Sequence, residues 1–385
     1  MVYRPIFIFG VARSGTNLLA RMLDRHPLVT VALDPLMPLF RSLRNAMVTQ
    51  YAPAAVEQGF SPTLPFQDYY FDPHGATMLD LMLETPADLP FNHDGLAELR
   101  EKVASRAALE SKALAAKIYT MEGCTYGAIF QSALDIFASM KPAASWVGSK
   151  EVWALEFLPF LARVFPSARF YILERDPRAI VASLLAMAAN DSTQAAHPPS
   201  YLRHWRKQVA LARRFEADAA LSGQVRCISF EQLASSPKKE ALRLCQEMKI
   251  DYSPEMLQLS ADGWMGNSSF QHGGRDIYSE TIDRWRRELP VHVLQAVDYF
   301  CGPEMVLTPY QAATKPDPAT VLDYVQQAGA SPGSWRSDSG DLLQDFGGEM
   351  IRHVMTNANY PPNELIARRG FLFIETLDLI RRQSA

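Results

Sequence analysis

The residues best suited to chemistry lie in a short loop near the start of the chain, Gly10–Asn17 (GVARSGTN). An apolar run, Ile6–Phe9, precedes this loop, and apolar residues at helical spacing follow it. The two glycines, Gly10 and Gly15, let the backbone curl so that consecutive N–H groups face inward. The N-terminus of the following helix adds a partial positive charge. This pattern predicts a phosphate-binding loop, although a glycine-bearing turn without a ligand is the alternative for so short a motif.

The loop departs from the Walker A pattern G-x-x-x-x-G-K-S/T at its last two positions. Thr16 stands where that pattern has lysine, and Asn17 stands where it has the hydroxyl that holds magnesium. The cationic side chain lies inside the loop instead, as Arg13. A P-loop kinase of a small metabolite is therefore disfavoured, although Glu174 after an apolar strand weakly imitates the acid of the Walker B motif.

A second candidate site is the segment Arg169–Leu184 (RFYILERDPRAIVASL). It predicts a strand, then Arg175, then a helix that carries Ser183 about two turns in. From the carboxyl end of its strand, Arg175 can reach a phosphate at the sheet edge. The alternative is that Arg175 simply pairs with its neighbour Asp176 or Glu174.

The elements that position these residues alternate between apolar strands and helices. We predict strands at 6–9, 29–33, 146–149, 169–174 and 225–230, with helices at 16–25, 152–165, 177–190, 199–221 and 237–248. This alternation predicts an α/β fold, a P-loop-like three-layer arrangement with a central parallel sheet flanked by helices. Ligands of such sheets lie at the carboxyl ends of the strands.

Two regions interrupt the pattern. Residues 40–145 hold proline-rich turns and then helical stretches at 95–115 and 126–140, which we interpret as a largely helical insertion that caps the acceptor side. The tail 311–385 opens with a Pro/Gly/Ser-rich linker and ends in helices. We therefore predict one α/β domain over 1–310 and a C-terminal helical extension, whose helices are the candidate surface for a homo-oligomer.

Composition excludes some classes of protein. A formal charge of −4 disfavours nucleic acid as a partner. The four cysteines form no C-x-x-C pair, which argues against a zinc site or a disulfide framework and predicts a reducing compartment. No apolar run is long enough for a membrane span or a signal peptide. We expect a cytoplasmic protein without a metal.

Four segments together resemble the family of PAPS-dependent sulfotransferases, where PAPS is 3′-phosphoadenosine 5′-phosphosulfate. Arg-Ser-Gly-Thr at 13–16 resembles the family's 5′-phosphosulfate loop, and Arg175 with Ser183 resembles its 3′-phosphate motif. The stretches 229–237 (SFEQLASSP) and 282–289 (IDRWRREL) resemble two further motifs near the nucleotide. The resemblance covers 4–40 and 146–310, and it is strongest to the tyrosylprotein and bacterial carbohydrate-type branch.

The resemblance implies transfer of a sulfuryl group from PAPS to an acceptor hydroxyl, with release of 3′-phosphoadenosine 5′-phosphate (PAP). Glycans, lipids and small metabolites are the expected acceptors, and a tyrosylprotein sulfotransferase is the alternative. A non-catalytic nucleotide-binding protein is the alternative of another class. The expected cofactor-binding residues are Arg13, Ser14, Gly15, Thr16, Asn17, Arg175, Ser183, Phe230, Arg275 and Trp285.

Five residues are candidates for catalytic roles. The planar guanidinium of Arg13 suits the leaving 5′-phosphate, and family likeness places a transition-state cation at Lys150. For the base, Asp34 matches the spacing of the catalytic glutamate in tyrosylprotein sulfotransferases, and Glu151 lies where cytosolic enzymes of the family carry histidine. His272, in a glycine-rich run, is the third candidate base. The sequence does not choose among them.

Overall fold

A five-stranded parallel sheet forms the centre of the molecule. The computed structural model describes residues 3–57, 75–190, 198–259, 279–328, 342–361 and 363–384. The strands lie in the order β2-β3-β1-β4-β5 and every neighbouring pair is parallel. They are β1 (Arg4–Gly10), β2 (Val29–Leu33), β3 (Trp146–Val152), β4 (Arg169–Glu174) and β5 (Val225–Ser229). Helices cover the sheet, which confirms the predicted α/β fold.

The central strands read as continuous apolar runs because helices bury both of their faces. In β1 every residue after Arg4 is buried, and in β4 every residue after Arg169 is buried. Side chains from one face of β1, Phe7 and Phe9, join the apolar cluster of the insertion, whereas Ile6 and Ile8 join the cluster around α1 and β5. Burial on both faces therefore explains why the strands lack polar alternation.

The described helices have the following bounds: α1 (Thr16–Asp24), α2 (Met37–Tyr51), α3 (Pro53–Glu57), α4 (Gly75–Glu84), α5 (Leu96–Ala107), α6 (Lys112–Ile118), α7 (Tyr126–Met140), α8 (Leu158–Val164), α9 (Pro177–Asn190), α10 (Pro198–Ala217), α11 (Phe230–Ser235), α12 (Pro237–Met248), α13 (Trp285–Glu288), α14 (Val291–Met305), α15 (Pro318–Ala328), α16 (Leu342–Met355), α17 (Glu364–Phe371) and α18 (Ile374–Ser384). Short 3₁₀ turns precede α5, α8 and α13. In the described part of the chain, no helix combines the length and apolar character that a membrane crossing requires.

The first helix of the insertion was not predicted from the sequence. Pro38 falls in the first turn of α2, where a missing N–H is harmless, and Leu39, Phe40 and Leu43 are buried along one side of the helix. The ring of Phe40 lies 4.9 Å from that of Phe130 and 5.4 Å from that of Phe157. These contacts join the insertion to the helices behind the sheet in one apolar cluster.

The tail also packs on the α/β body. Helices α16 to α18 share an apolar cluster with α9, α10 and α14. Within it, the buried guanidinium of Arg352 pairs with Glu304 at 2.6 Å and with Glu349 at 3.0 Å. Glu349 also receives Arg206 of α10 at 2.7 Å. The division of the chain at residue 310 stays a prediction.

Parallel register gathers the candidate residues at one edge of the sheet. Gly10 lies opposite Val152 on one side and opposite Leu173 on the other, and Leu33 lies opposite Lys150. The loops that leave β1, β2, β3 and β4 therefore meet at the carboxyl edge. This arrangement places the Gly10–Asn17 loop between the segments that carry Asp34 and Arg175.

Candidate active site

The Gly10–Asn17 loop is a tight turn that depends on its two glycines. Gly15 has a φ of 95°, and a Cβ there would lie 2.3 Å from Cδ2 of Phe230. A Cβ on Gly10 would lie 2.5 Å from Cγ2 of Thr16. Arg13 also has a positive φ, 74°, which is uncommon for a residue with a side chain. The backbone is thus held in a conformation that costs free energy, as is frequent at functional sites.

The interior of this loop has polar groups that find no partner in the described part of the chain. The hydroxyl of Ser14 is fully buried and has no hydrogen-bond partner among those residues. Gly15 begins α1 without a side-chain cap, so the first N–H groups of that helix receive no side-chain acceptor from it. Buried polar groups are normally paired, and helix N-termini favour anions. The loop therefore fits the oxygens of a phosphate or sulfate group.

Arg13 joins the loop to α9. Its Nε and Nη2 atoms each lie 3.1 Å from Oγ of Ser183 and donate to that hydroxyl. Burial lowers the pKa of the Arg13 guanidinium, Arg284 lowers it further, and Tyr201 partly offsets both effects. A bound anion would stabilise this buried charge. Arg13 and Ser183 lie far apart in the sequence, yet this contact places them in one site.

Arg175 lies beside the same loop and is buried. Its Nη1 donates to the carbonyl of Arg13 at 2.8 Å, its Nη2 donates to the carbonyl of Thr281 at 3.2 Å, and its guanidinium stacks 4.0 Å from the ring of Phe230. Its Nε has no hydrogen-bond partner among the residues that the structure describes. Burial is the main cause that lowers the pKa of Arg175 to about 10, although Glu231 opposes the shift. The site is therefore rich in positive charge.

The neighbouring carboxylates are occupied elsewhere. Asp176 pairs with Arg178 at 2.7 Å, and Glu174 pairs with Arg213. Glu231 is the carboxylate whose charge acts most strongly on Arg175. It accepts the backbone N–H of Asp176 and, at 2.8 Å, the hydroxyl of Tyr310. The simple ion-pair interpretation of Arg175 is therefore wrong, since neither sequence neighbour pairs with it.

A small cavity opens between Arg175 and α13. Its lining includes Ser183, Thr281, Arg284 and Trp285. Trp285 is 2% exposed, and the guanidinium of Arg178 lies 4.1 Å from its ring. Trp285 thus contributes to the wall of this cavity, whereas Phe230 lies between Arg175 and Gly15.

Asp34 and Lys150 form an ion pair at the ends of β2 and β3. Asp34 has a φ of 51°, its N–H donates to the carbonyl of Lys150 at 2.8 Å, and its Oδ1 accepts from the N–H of Val152 at 3.3 Å. The Lys150 side chain is 2% exposed, whereas that of Asp34 is 25% exposed. Asp34 is therefore fixed by its neighbours and still reaches solvent.

Glu151 is oriented differently. It is fully buried, and its Oε1 accepts the N–H of Leu36 at 2.8 Å. Burial raises the pKa of Glu151 well above its usual value, and the nearby Asp34 carboxylate raises it further. Burial therefore favours the protonated form of Glu151, whose side chain supports the turn that follows Asp34.

The long helix α10 contributes contacts that the sequence did not assign. The indole of Trp205 donates to the carbonyl of Arg175 at 2.9 Å, and Gln208 donates to the carbonyl of Leu173 at 3.0 Å. These two bonds hold the end of β4. Thr281 and Tyr310 were also missed, because Thr281 contacts Arg175 from 106 residues away and Tyr310 contacts Glu231 from 79 residues away, which leaves no local signal.

Two candidates, His272 and Arg275, lie in 260–278, outside the described residues. Among the described residues, no group of three or more His, Cys, Asp or Glu side chains is placed to hold a metal ion. All four cysteines are free thiols.

Comparison with curated sequences finds one relative of note. A Caenorhabditis elegans protein, whose name assigns it provisionally as a protein-tyrosine sulfotransferase, is 26% identical over 129 residues. That match covers 32% of this chain and 48% of the relative, so the chain spans about half the length of the curated relative it matches.

Solved structures with a similar arrangement share little sequence with this chain. A sulfotransferase domain from the curacin biosynthetic pathway is 15% identical, covers 84% of this chain and 97% of its own, and gives a TM-score of 0.45. The sulfotransferase domain of the Synechococcus PCC 7002 olefin synthase is 16% identical to this chain and gives a TM-score of 0.41. That match covers 75% of this chain and 89% of the olefin synthase domain. Similarity at this level carries no weight for function.

The family comparison is decisive by its extent. A sequence profile of the sulfotransferase family matches residues 5–254, which is more than half of the chain. The matched region contains the Gly10–Asn17 loop, the Asp34–Lys150 ion pair, and Arg175 with Ser183. The chain belongs to the sulfotransferase family.

Proposed function

We propose that this enzyme transfers the sulfuryl group of PAPS to an acceptor hydroxyl and releases PAP. The observation that carries the proposal is the buried cationic site in which Arg13, Ser183 and Arg175 contact one another beside an anion-binding loop. Such a site suits a nucleotide that is phosphorylated at both ends, because each end needs its own cations and hydrogen-bond donors. PAPS supplies the activated sulfuryl group when it is bound.

The loop residues fit the 5′-phosphosulfate end. The unpartnered hydroxyl of Ser14 and the uncapped start of α1 supply donors there, with Gly15, Thr16 and Asn17 forming the rest of the turn. Arg13 supplies positive charge where negative charge gathers as the bond from sulfur to the bridging oxygen breaks. Fixed donors and cations of this kind stabilise a transition state without reorganising.

Arg175 and Ser183 fit the 3′-phosphate end. The Nε of Arg175, which has no hydrogen-bond partner among the described residues, is the donor for this end, and Ser183 and Trp285 line the small cavity beside it. Phe230 holds the Arg175 guanidinium from its other face. Arg275, outside the described residues, stays a candidate for the same end.

Asp34 is the general base in this proposal. Its carboxylate is partly exposed and is fixed by Lys150, whereas the Glu151 carboxyl is buried, has a raised pKa because of that burial, and accepts the N–H of Leu36. The acceptor oxygen forms a bond to sulfur while the bond from sulfur to the PAP oxygen breaks. The acceptor proton passes to Asp34, and Lys150 offsets charge on the sulfuryl oxygens.

Other functions fit the same site less well. A P-loop kinase needs an acid near magnesium, but Glu174 is paired with Arg213. A non-catalytic nucleotide-binding protein has no use for the strained, partly exposed Asp34. The acceptor class (glycan, lipid, small metabolite or tyrosyl side chain), a cytoplasmic location and assembly through the C-terminal helices stay predictions from the sequence.

An Asp34→Asn variant tests the assignment of the base. We expect PAP affinity, measured by titration calorimetry, to stay within about twofold, and sulfuryl transfer from labelled PAPS to fall by about 10²–10⁴-fold, as for the loss of a general base. Glu151→Gln is the matched control, since it makes the same chemical change one strand away and should retain activity. Equal losses in both variants, or unchanged turnover in Asp34→Asn, would contradict the proposal.

A further inference from the structure

A cleft lies between α2 and α5, beside the segment that follows Asp34. Its volume is about 630 Å³, which falls within the range of about 300–1,000 Å³ for small-molecule sites. Phe91, Leu99 and Tyr126 give it apolar walls, and Met37 lines it three residues after Asp34. Arg106, also in the lining, donates to the carbonyl of Asp34 at 3.3 Å. The cleft therefore lies next to Asp34, the proposed base.

Charge in this cleft is unevenly distributed. Of the described residues that line it, three are cations (Arg41, Lys102, Arg106) and two are carboxylates (Glu98, Glu101). Lys102 pairs with Glu98, and Glu101 accepts the hydroxyl of Tyr119 at 2.7 Å. The pair of Lys102 and Glu98 is neutral and Glu101 keeps its negative charge, so the positive charge of the cleft lies with the arginines at the end nearest Asp34.

Two guanidinium groups make up that positive end. Within the described chain, neither Arg41 nor Arg106 forms an ion pair with a carboxylate. Burial lowers the pKa of Arg41, and the neighbouring guanidiniums of Arg44 and Arg106 lower it further. Like charges placed together at the rim of a cleft cost free energy unless an anion joins them. Both side chains are exposed to solvent, so a ligand can reach them.

We propose that this cleft binds the acceptor and that Arg41 and Arg106 select acceptors carrying an anionic group, a carboxylate or a phosphate ester, close to the hydroxyl that is sulfated. This inference rests on the proposed function and narrows its substrate class. The arginines bind the anion bidentately, and the bond from Arg106 to the backbone carbonyl of Asp34 keeps the bound anion beside the residue that carries the base. The volume matches a small molecule or the end of a larger one.

Three probes of one shape test the charge requirement: 4-(hydroxymethyl)benzoate, 4-(hydroxymethyl)phenyl phosphate and the neutral 4-(hydroxymethyl)benzamide. Binding of each to the PAP-loaded protein is measured by calorimetry, and sulfation of each is measured with labelled PAPS. We expect the carboxylate, the phosphate or both to bind about tenfold or more tightly than the amide, as for a hydrogen bond to a charged group. The better of the two anions identifies the preferred group.

Variants assign the effect to the cleft. Arg41→Gln should weaken binding of the anionic probes by about tenfold and leave the amide unchanged. Arg41→Glu should favour the cationic probe 4-(aminomethyl)benzyl alcohol. Lys238→Gln removes one exposed positive charge from α12, outside the cleft, and should change none of these values.

Several outcomes would overturn the inference. Equal binding of all three probes by the unchanged protein, or no binding of any probe while PAP is bound, excludes anion selection in this cleft. A loss of PAP affinity in Arg41→Gln would assign the arginine to the co-substrate instead. Failure of the proposed function looks different, because PAP itself would then not bind, or anionic probes would bind without being sulfated.

Discussion

Replacing Arg175 by lysine tests whether this residue binds a phosphate or only supports the fold. The guanidinium is 4% exposed, donates to the carbonyls of Arg13 and Thr281, and stacks on Phe230 at 4.0 Å. Lysine keeps the charge but loses the planar fork and the stacking geometry. The Nε of Arg175, which has no partner in the described chain, is the donor expected to face the 3′-phosphate.

The size of the effect follows from the bonds that are lost. One hydrogen bond to a charged group contributes about 1.5–3 kcal/mol, so losing a single bond to the 3′-phosphate should weaken PAP binding by about tenfold to a hundredfold. Structural loosening also weakens binding, because the Arg13 carbonyl loses its donor. That second effect acts on any nucleotide and must be separated from the first.

Comparing two ligands separates them. Adenosine 5′-phosphate has the same base, sugar and 5′-phosphate as PAP but lacks the 3′-phosphate. Titration calorimetry of the unchanged protein and of Arg175→Lys with both ligands gives a double-difference cycle. We expect the preference for PAP over adenosine 5′-phosphate to fall by at least about tenfold. An equal loss for both ligands would refute the reasoning and leave Arg175 a purely structural residue.

Three further predictions concern the groups around the site and the tail. Glu151→Gln should stabilise the protein at alkaline pH. The folded-state pKa of Glu151 lies above its unfolded value of about 4.5. The contribution of Glu151 to the free energy of unfolding is therefore present below a pH of about 4.5 and is lost as the pH rises toward the folded-state pKa. Urea unfolding at pH 5 and pH 8 should show a flatter pH dependence in the variant, and an unchanged slope would contradict this prediction. Gly15→Ala should lose about 2 kcal/mol or more of stability and most PAP affinity, because its Cβ meets Phe230 at 2.3 Å in a left-handed conformation; wild-type values in thermal unfolding and calorimetry would show that the loop is not rigid. Arg352→Ala should lower the free energy of unfolding by about 3–5 kcal/mol, since it leaves buried carboxylates unpaired. Arg243→Ala is the control: its arginine is 43% exposed, so the loss should be no more than about 1 kcal/mol. Similar unfolding midpoints for the two variants would contradict the account of the tail.

Local signals predicted the sheet and the nucleotide loop because these features are encoded in short segments. Apolar runs that stop at a polar residue located all five strands, and the paired glycines located the loop. The bounds shifted where a strand continued through polar residues: β3 runs to Val152, past Lys150 and Glu151, and these two buried side chains are partnered by Asp34 and Leu36 in the turn between β2 and α2. Helix α2 was missed because Pro38 and the proline-rich residues after it resemble an irregular region.

Long-range contacts decided the rest. The sequence left Asp34, Glu151 and His272 as candidates for the base, since only the fold shows that Asp34 pairs with Lys150 and reaches solvent, whereas Glu151 is buried and bonded to Leu36. Arg175 was likewise ambiguous until Asp176 and Glu174 were found with other partners. Which carboxylate a cation meets depends on packing between distant segments, and no spacing rule within one strand or helix records it.

We propose above all that the protein transfers a sulfuryl group from PAPS and that it does not use magnesium and a nucleoside triphosphate as a kinase does. The most direct test of this proposal is to incubate the protein with PAPS labelled in the sulfuryl group, an acceptor panel that includes the three hydroxymethyl probes, and EDTA, and to measure labelled product and PAP together. We predict one equivalent of PAP for each labelled product, and loss of both in Asp34→Asn. ATP consumption in place of PAPS, a requirement for magnesium, or PAPS binding with no product from any acceptor would contradict the account.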